Sequence, residues 1–213
     1  MKTIEKQRFY KIKMVRNRIK NGLFLFTLRN FLTRIGLDID PYYWDEERLD
    51  QCTEPKIRDT SYTYEIVNVE ADEVGILHNI LGMDSVELKK DIQNGQLCMG
   101  LKHKDEIVAV VFAKFNDLVY KNRTFKLGSN QGYILNLYTF ESYRGKNLAP
   151  YLRYHCYLAL KERGVDNIFC ITSYFNKSVL ISNKKLNIKH VTLFLHIGLF
   201  KRFHWNYILK NYK

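Results

Sequence analysis

The stretch best suited to chemistry reads Leu137-Tyr138-Thr139-Phe140-Glu141-Ser142-Tyr143-Arg144-Gly145-Lys146-Asn147-Leu148-Ala149. A strand-like run passes through a short basic loop into a helix-like run. A helix N-terminus offers unpaired backbone N–H groups and the positive end of the macrodipole. That combination favours an anion, phosphate above all. Arg144 and Lys146 add positive charge, and Gly145 permits close backbone approach. The spacing predicts a phosphate-binding loop; an ordinary basic turn between strand and helix is the alternative.

Other chemistry finds less support. Cys52, Cys98, Cys156 and Cys170 form no C-x-x-C pair and fit no zinc spacing. Reduced thiols are the simplest expectation. The six histidines are scattered without a ligand motif, so no metal is expected.

The elements that must position the loop follow from periodicity. Strands are predicted at Tyr62–Val69, Gln96–His103, Ile107–Phe115, Gly132–Phe140, Asn167–Ser173, and near 189–197 and 200–209. Helices are predicted near 71–81, 84–93, 148–163 and 177–186, with Gly164 closing the third. Residues 116–131 form an excursion or an extra irregular strand. The aromatic tail holding Phe203, Trp205 and Tyr207 is expected in the core, a dimer face being the alternative. Strands and helices mingle, which argues for a mixed α/β (α+β) domain with helices covering a central sheet.

The chain has 213 residues and a formal charge of +12, enough length for one cored domain with an appendage. The charge is concentrated: residues 1–36 carry ten Lys/Arg against Glu5 alone. Apolar residues at Ile4, Phe9, Ile12, Val15, Ile19, Leu23, Phe26, Phe31 and Ile35 recur at helical spacing, with Gly22 as a weak point. Such a helix can pack on the body or lie on an anionic membrane; nucleic acid is not expected, because no accompanying motif appears. Asp40-Pro41 is expected to end this segment, and residues 45–60 to connect it to the body. The expected division is therefore 1–60, a basic helical extension with its connector, and 61–213, the chemical domain. No run of about 18 apolar residues and no leader-like start appear. A cytoplasmic protein is expected, with peripheral contact to the inner face of a membrane through the basic helix.

Around the loop the sequence resembles the GCN5-related N-acetyltransferase (GNAT) family. The family pattern Arg/Gln-x-x-Gly-x-Gly/Ala is similar to Arg144-Gly145-Lys146-Asn147-Leu148-Ala149, with Asn147 where glycine is usual. Asn176-Lys177-Ser178 through Lys185-Leu186-Asn187-Ile188 resembles the family's Asn-x-x-Ser…Lys-Leu-Gly-Phe helix, with Asn187-Ile188 in place of Gly-Phe.

The resemblance implies a mostly antiparallel mixed sheet, splayed between its fourth and fifth strands, with helices on both faces. It implies acetyl-CoA as acyl donor and an N-acetyltransferase moving the acetyl group to a primary amine, small or amino-sugar-like, by direct attack. A CoA-binding or partner-binding module without turnover is the alternative. The pyrophosphate would rest on Arg144, Gly145, Lys146, Asn147, Leu148 and Ala149. The pantetheine arm would run along the backbone of Leu137, Tyr138 and Thr139. Asn176 would contact that arm, or serve as a helix N-cap. The family's usual acid and base positions hold Asn183 and Ile171 here. Tyr133, Asn136 and Tyr174 are the substitute catalytic candidates, with Tyr138 and Glu141 behind them. Acceptor identity and oligomeric state are not legible.

Overall fold

A computed structural model describes residues 23–48, 50, 52–59, 61–73 and 85–212. Its elements are α1 (Phe24–Arg34), β1 (Leu37–Glu47), β2 (Glu65–Asn68), α2 (Ser85–Gln93), β3 (Leu97–His103) and β4 (Glu106–Lys114). They continue with β5 (Leu118–Tyr120), β6 (Arg123–Phe125), β7 (Gln131–Thr139), α3 (Leu148–Glu162), β8 (Asn167–Ser173), α4 (Lys177–Lys185), β9 (Lys189–Leu199) and β10 (Phe203–Asn211). Eight strands form one sheet in the order β10-β9-β1-β8-β7-β4-β3-β2, and β5 pairs with β6. Every pairing is antiparallel except β7 with β8.

The alternation of β3 and β4 sorts their side chains to two covered faces. Leu97, Met99, Leu101, Ala109, Val111 and Ala113 pack against Leu148, Leu152, Cys156, Tyr157 and Leu160 of α3. Cys98, Val110 and Phe112 pack with Val69 and with Leu88 of α2 on the other face. The predicted excursion is the β5–β6 hairpin, whose Phe125 closes over Tyr42 and Phe194.

The main departure from expectation is β1. Residues 37–47, read as the end of a helical segment and the start of a connector, form a strand inside the sheet, between β8 and β9. Pro41 does not break it, for a geometric reason. Its C=O accepts from Tyr174 N–H at 2.9 Å, so its nitrogen faces the β8 side, where strand pairing starts only at Tyr42. A buried ion pair fixes the strand. Both carboxylate oxygens of Glu47 accept from Arg153 of α3, Nε at 2.8 Å and Nη2 closer still. Asn183 accepts from Arg153 Nη1 at 3.0 Å and donates to Thr172 at 2.9 Å and Asp45 at 3.4 Å.

Two further expectations change. Phe203, Trp205 and Tyr207 are not core: they are 48%, 43% and 49% exposed, because β10 is an edge strand without a covering layer. Of the helix expected near 71–81, residues 71–73 form a turn and the rest lies outside the described residues, as do residues 1–22 of the basic segment.

Candidate active site

A cleft opens where β7 and β8 part. Their parallel register runs only from Gln131–Ile134 against Asn167–Cys170, although both strands continue. The cause is local. Asn136 has a left-handed backbone (φ 49°), and β7 gains a residue there against β4 between Val110 and Phe112. Asn tolerates that conformation, and such a bulge bends its strand. Phe140 N–H donates to Val108 at 3.0 Å, toward β4. Strand alternation then turns the N–H groups of Thr139 and Leu137 toward the cleft.

The loop after β7 is built on two left-handed residues, Gly145 (φ 83°) and Asn147 (φ 68°). A Cβ on Gly145 would meet nothing within 4 Å, so backbone conformation rather than crowding calls for glycine. Asn147 is tied from both sides: its Nδ2 donates to Lys56 O at 2.8 Å, and Lys185 Nζ donates to its Oδ1 at 2.7 Å. Arg58 N–H donates to Lys146 O at 3.0 Å. Pro150 sits in the first turn of α3, where its missing N–H costs no intrahelical bond.

Together these elements wall a cavity of about 690 Å³. Tyr133, Asn136, Leu137, Thr139, Arg144, Gly145, Asn147, Leu148, Ala149 and Asn176 all line it. Tyr138, Lys146 and Tyr174 do not. Tyr138 points to the opposite face of β7, against Phe140. Lys146 turns away to Asp59 (3.0 Å) and lies 3.3 Å from the centre of the Tyr62 ring. Tyr174, one residue past the end of β8, is 46% exposed beside Tyr43 and Phe175. Asn176 N-caps α4, its Oδ1 accepting from Val179 N–H at 3.4 Å and Ser178 at 2.9 Å.

Cations that spacing did not reveal stand at the loop end of the cavity. Arg58 and Lys185 line it, brought there from a connector and from the end of α4. Arg144 donates from Nε to Thr139 O at 3.1 Å and so links the loop to the strand end. Two wall hydroxyls, Thr139 Oγ1 and Ser182 Oγ, are buried without a protein partner.

The opposite end is lined by Phe26, Arg29, Tyr120 and Ser173. Behind it lies Asp40, fully buried. Asp40 accepts from Arg29 at 2.8 Å, Tyr120 at 3.1 Å and Ser173 at 3.3 Å. Burial raises its carboxyl above the usual range, outweighing Arg29 and Lys121. Because Tyr120 and Ser173 spend their single O–H donors on Asp40, they present lone pairs to the cavity. Arg29, whose Nε is buried without a partner, stands on the same wall, so that end can both receive and give hydrogen bonds.

Tyr133 is 6% exposed, and burial pushes its phenol far above the ordinary value. It stays protonated and offers the cavity a hydrogen-bonding hydroxyl. Asn183 is held in the Arg153 network, and Ile171 is an apolar wall. Among the described residues no group of three or more His, Cys, Asp or Glu could hold a metal.

Comparison with known proteins agrees with this geometry. The model of the acetyltransferase (GNAT) family matches residues 62–180. No curated protein sequence matches. Among solved structures, a Drosophila protein superposes with a TM-score of 0.57 at 11% identity, over 84% of this chain and 58% of its own. A GNAT-family acetyltransferase from Colwellia psychrerythraea gives 0.56 at 11%, over 76% and 57%. The glucosamine N-acetyltransferase region of a fungal multi-domain β-N-acetylglucosaminidase gives 0.56 at 13%, over 84% and 22%. The chain thus spans less than two thirds of each of these relatives. Matched over more than half its length by the family model, and folded as these neighbours are, the chain belongs to the GNAT acetyltransferase family.

Proposed function

We propose that this protein transfers an acetyl group from acetyl-CoA to a primary amine. The observation that carries the reading is the parting of β7 and β8 directly above the first turn of α3. The diphosphate lies on the backbone N–H groups after Arg144, with Arg58 and Lys185 beside it, where orphan amides and the helix dipole favour negative charge. The arm follows the free edge of Leu137–Thr139, and the unpaired hydroxyls of Thr139 and Ser182 give it partners.

The acceptor enters at the Arg29–Tyr120–Ser173 end, where the lone pairs of Tyr120 and Ser173 receive the N–H groups of a neutral amine and Arg29 donates to an acceptor oxygen of the same molecule. A neutral amine nitrogen bonds the thioester carbon, the C–S bond breaks, and the proton that the nitrogen sheds passes to sulfur, so that CoA leaves as a thiol and the nitrogen as an amide. A strand N–H near Leu137 polarises the thioester oxygen. Tyr133, kept protonated, hydrogen-bonds the departing sulfur and relays to it the proton that the nitrogen sheds, so that no phenolate is left behind. Amine and thioester held in one cleft gain the advantage of proximity. Amino sugars belong in the acceptor set, since the fungal region of similar fold is a glucosamine N-acetyltransferase.

The test is release of CoA thiol from acetyl-CoA with a panel of amines that includes glucosamine. Release with at least one amine supports the reading; no affinity for any acyl-CoA ends it. A second reading, CoA binding without turnover, is favoured by Asn183 and Ile171 at the family's customary acid and base positions. It predicts saturable binding and no thiol release.

A further inference from the structure

α1 is laid on the protein inside out. Its protein-facing side is anchored by polar contacts, beside the half-buried Phe26 and Leu32: Arg29 reaches Asp38 at 3.1 Å and Asp40 at 2.8 Å, and Thr33 donates to Asp38 at 3.2 Å. Its solvent side is apolar. Phe24, Leu25, Leu28 and Phe31 are 54%, 51%, 40% and 59% exposed, and Ile35, just past the helix, is 59% exposed. Positions 24, 28, 31 and 35 form one stripe at helical spacing. No residue of the helix is buried.

The stripe continues onto the β9–β10 turn. Phe200 N–H donates to Gly36 O at 2.6 Å, and the Phe200 ring is 69% exposed. Gly36 is required here, because a Cβ would lie 2.7 Å from that ring. The border of the patch is cationic: Arg34, Lys201 and Arg202 are exposed. Directly before it in the sequence, residues 1–22 carry eight Lys/Arg against Glu5 alone.

We infer that this stripe seats the protein on an anionic bilayer. Exposed Phe and Leu side chains on one helical face, ringed by Lys and Arg, match the acyl boundary and the headgroup layer of an anionic membrane. A second copy seated two-fold on the stripe would set one positive border against another. Among the described residues no helix is long and apolar enough to cross a membrane, so the contact is interfacial. Phe26 and Arg29 of the same helix line the cavity, so the seated helix holds one cavity wall at the lipid surface.

The test is flotation of the full chain with vesicles of phosphatidylcholine plus phosphatidylglycerol, and with phosphatidylcholine alone. Flotation with the anionic vesicles, weakened by salt, is expected. Leu28→Asp with Phe31→Asp should lower partitioning at least about tenfold, with native circular dichroism. The charge variant Arg34→Glu with Lys201→Glu and Arg202→Glu, which leaves the apolar stripe intact, should weaken the preference for anionic vesicles severalfold. The inference is overturned if the chain stays in solution with both vesicles, or if both variants float like the parent. It is equally overturned if sedimentation shows a dimer that Leu28→Asp dissolves while no flotation occurs. Acetyl-CoA affinity, measured separately, reports on the proposed acyl chemistry and not on this contact.

Discussion

Tyr133 and His196 show how burial assigns roles to single side chains. With its phenol held protonated, Tyr133 is a proton donor to the leaving thiolate in the proposed reaction. Tyr133→Phe should lower kcat about a hundredfold and leave KM nearly unchanged, as steady-state thiol release would report. His196 is 1% exposed, and burial holds its imidazole below the ordinary value of 6.5. Below that value the unfolded chain takes up a proton that the folded one refuses until lower pH. Its contribution to stability is therefore complete above about pH 6.5 and fades as pH falls toward the folded value. Urea unfolding between about pH 7.5 and about pH 5 should show a slope that His196→Gln flattens, by at most about 1.4 kcal/mol per pH unit. At this scale the sequence was legible only where function follows local spacing. Gly145, Asn147 and Asn176 declared themselves through turn and cap chemistry. Arg29, Arg58 and Lys185 did not, because each reaches the cavity through long-range packing that spacing does not encode.

Elements with clean periodicity matched their strands and helices to within a few residues, among them β3, β4, β7, α3, β8 and α4. β1 escaped because Asp38 and Asp40 occupy the inward positions that an apolar pattern requires, and because Pro41 reads as a terminator. Both become intelligible with the partners in view. Arg29 and Lys121 neutralise the aspartates, and the proline nitrogen faces an unpaired stretch. β1 is then secured by Glu47 against Arg153, both almost fully buried. Breaking one partner of such a pair strands the other charge, so Glu47→Gln should cost about 3–5 kcal/mol, read from denaturant unfolding. A cost below about 1 kcal/mol would mean that the pair is solvated and does not anchor the strand.

The molecule as a whole is one sheet whose halves serve different ends. β2, β3, β4 and β7 carry most of the packed core, β8 supplies the far wall of the cleft, and β1, β9 and β10 extend the sheet behind it. β1 joins β8 to β9, so residues 37–47 are part of the folded body. A chain beginning at residue 61 should lack cooperative thermal unfolding, because β8 and β9 lose their common neighbour; a sharp, native-like transition would contradict this. The most direct test of the central claim is calorimetric titration of acetyl-CoA into the full chain and into Gly145→Val. The parent should bind saturably. The variant, forced to put a branched residue at φ 83°, should bind roughly tenfold more weakly or worse. Equal affinity in both chains, or no heat of binding in the parent, would contradict the account.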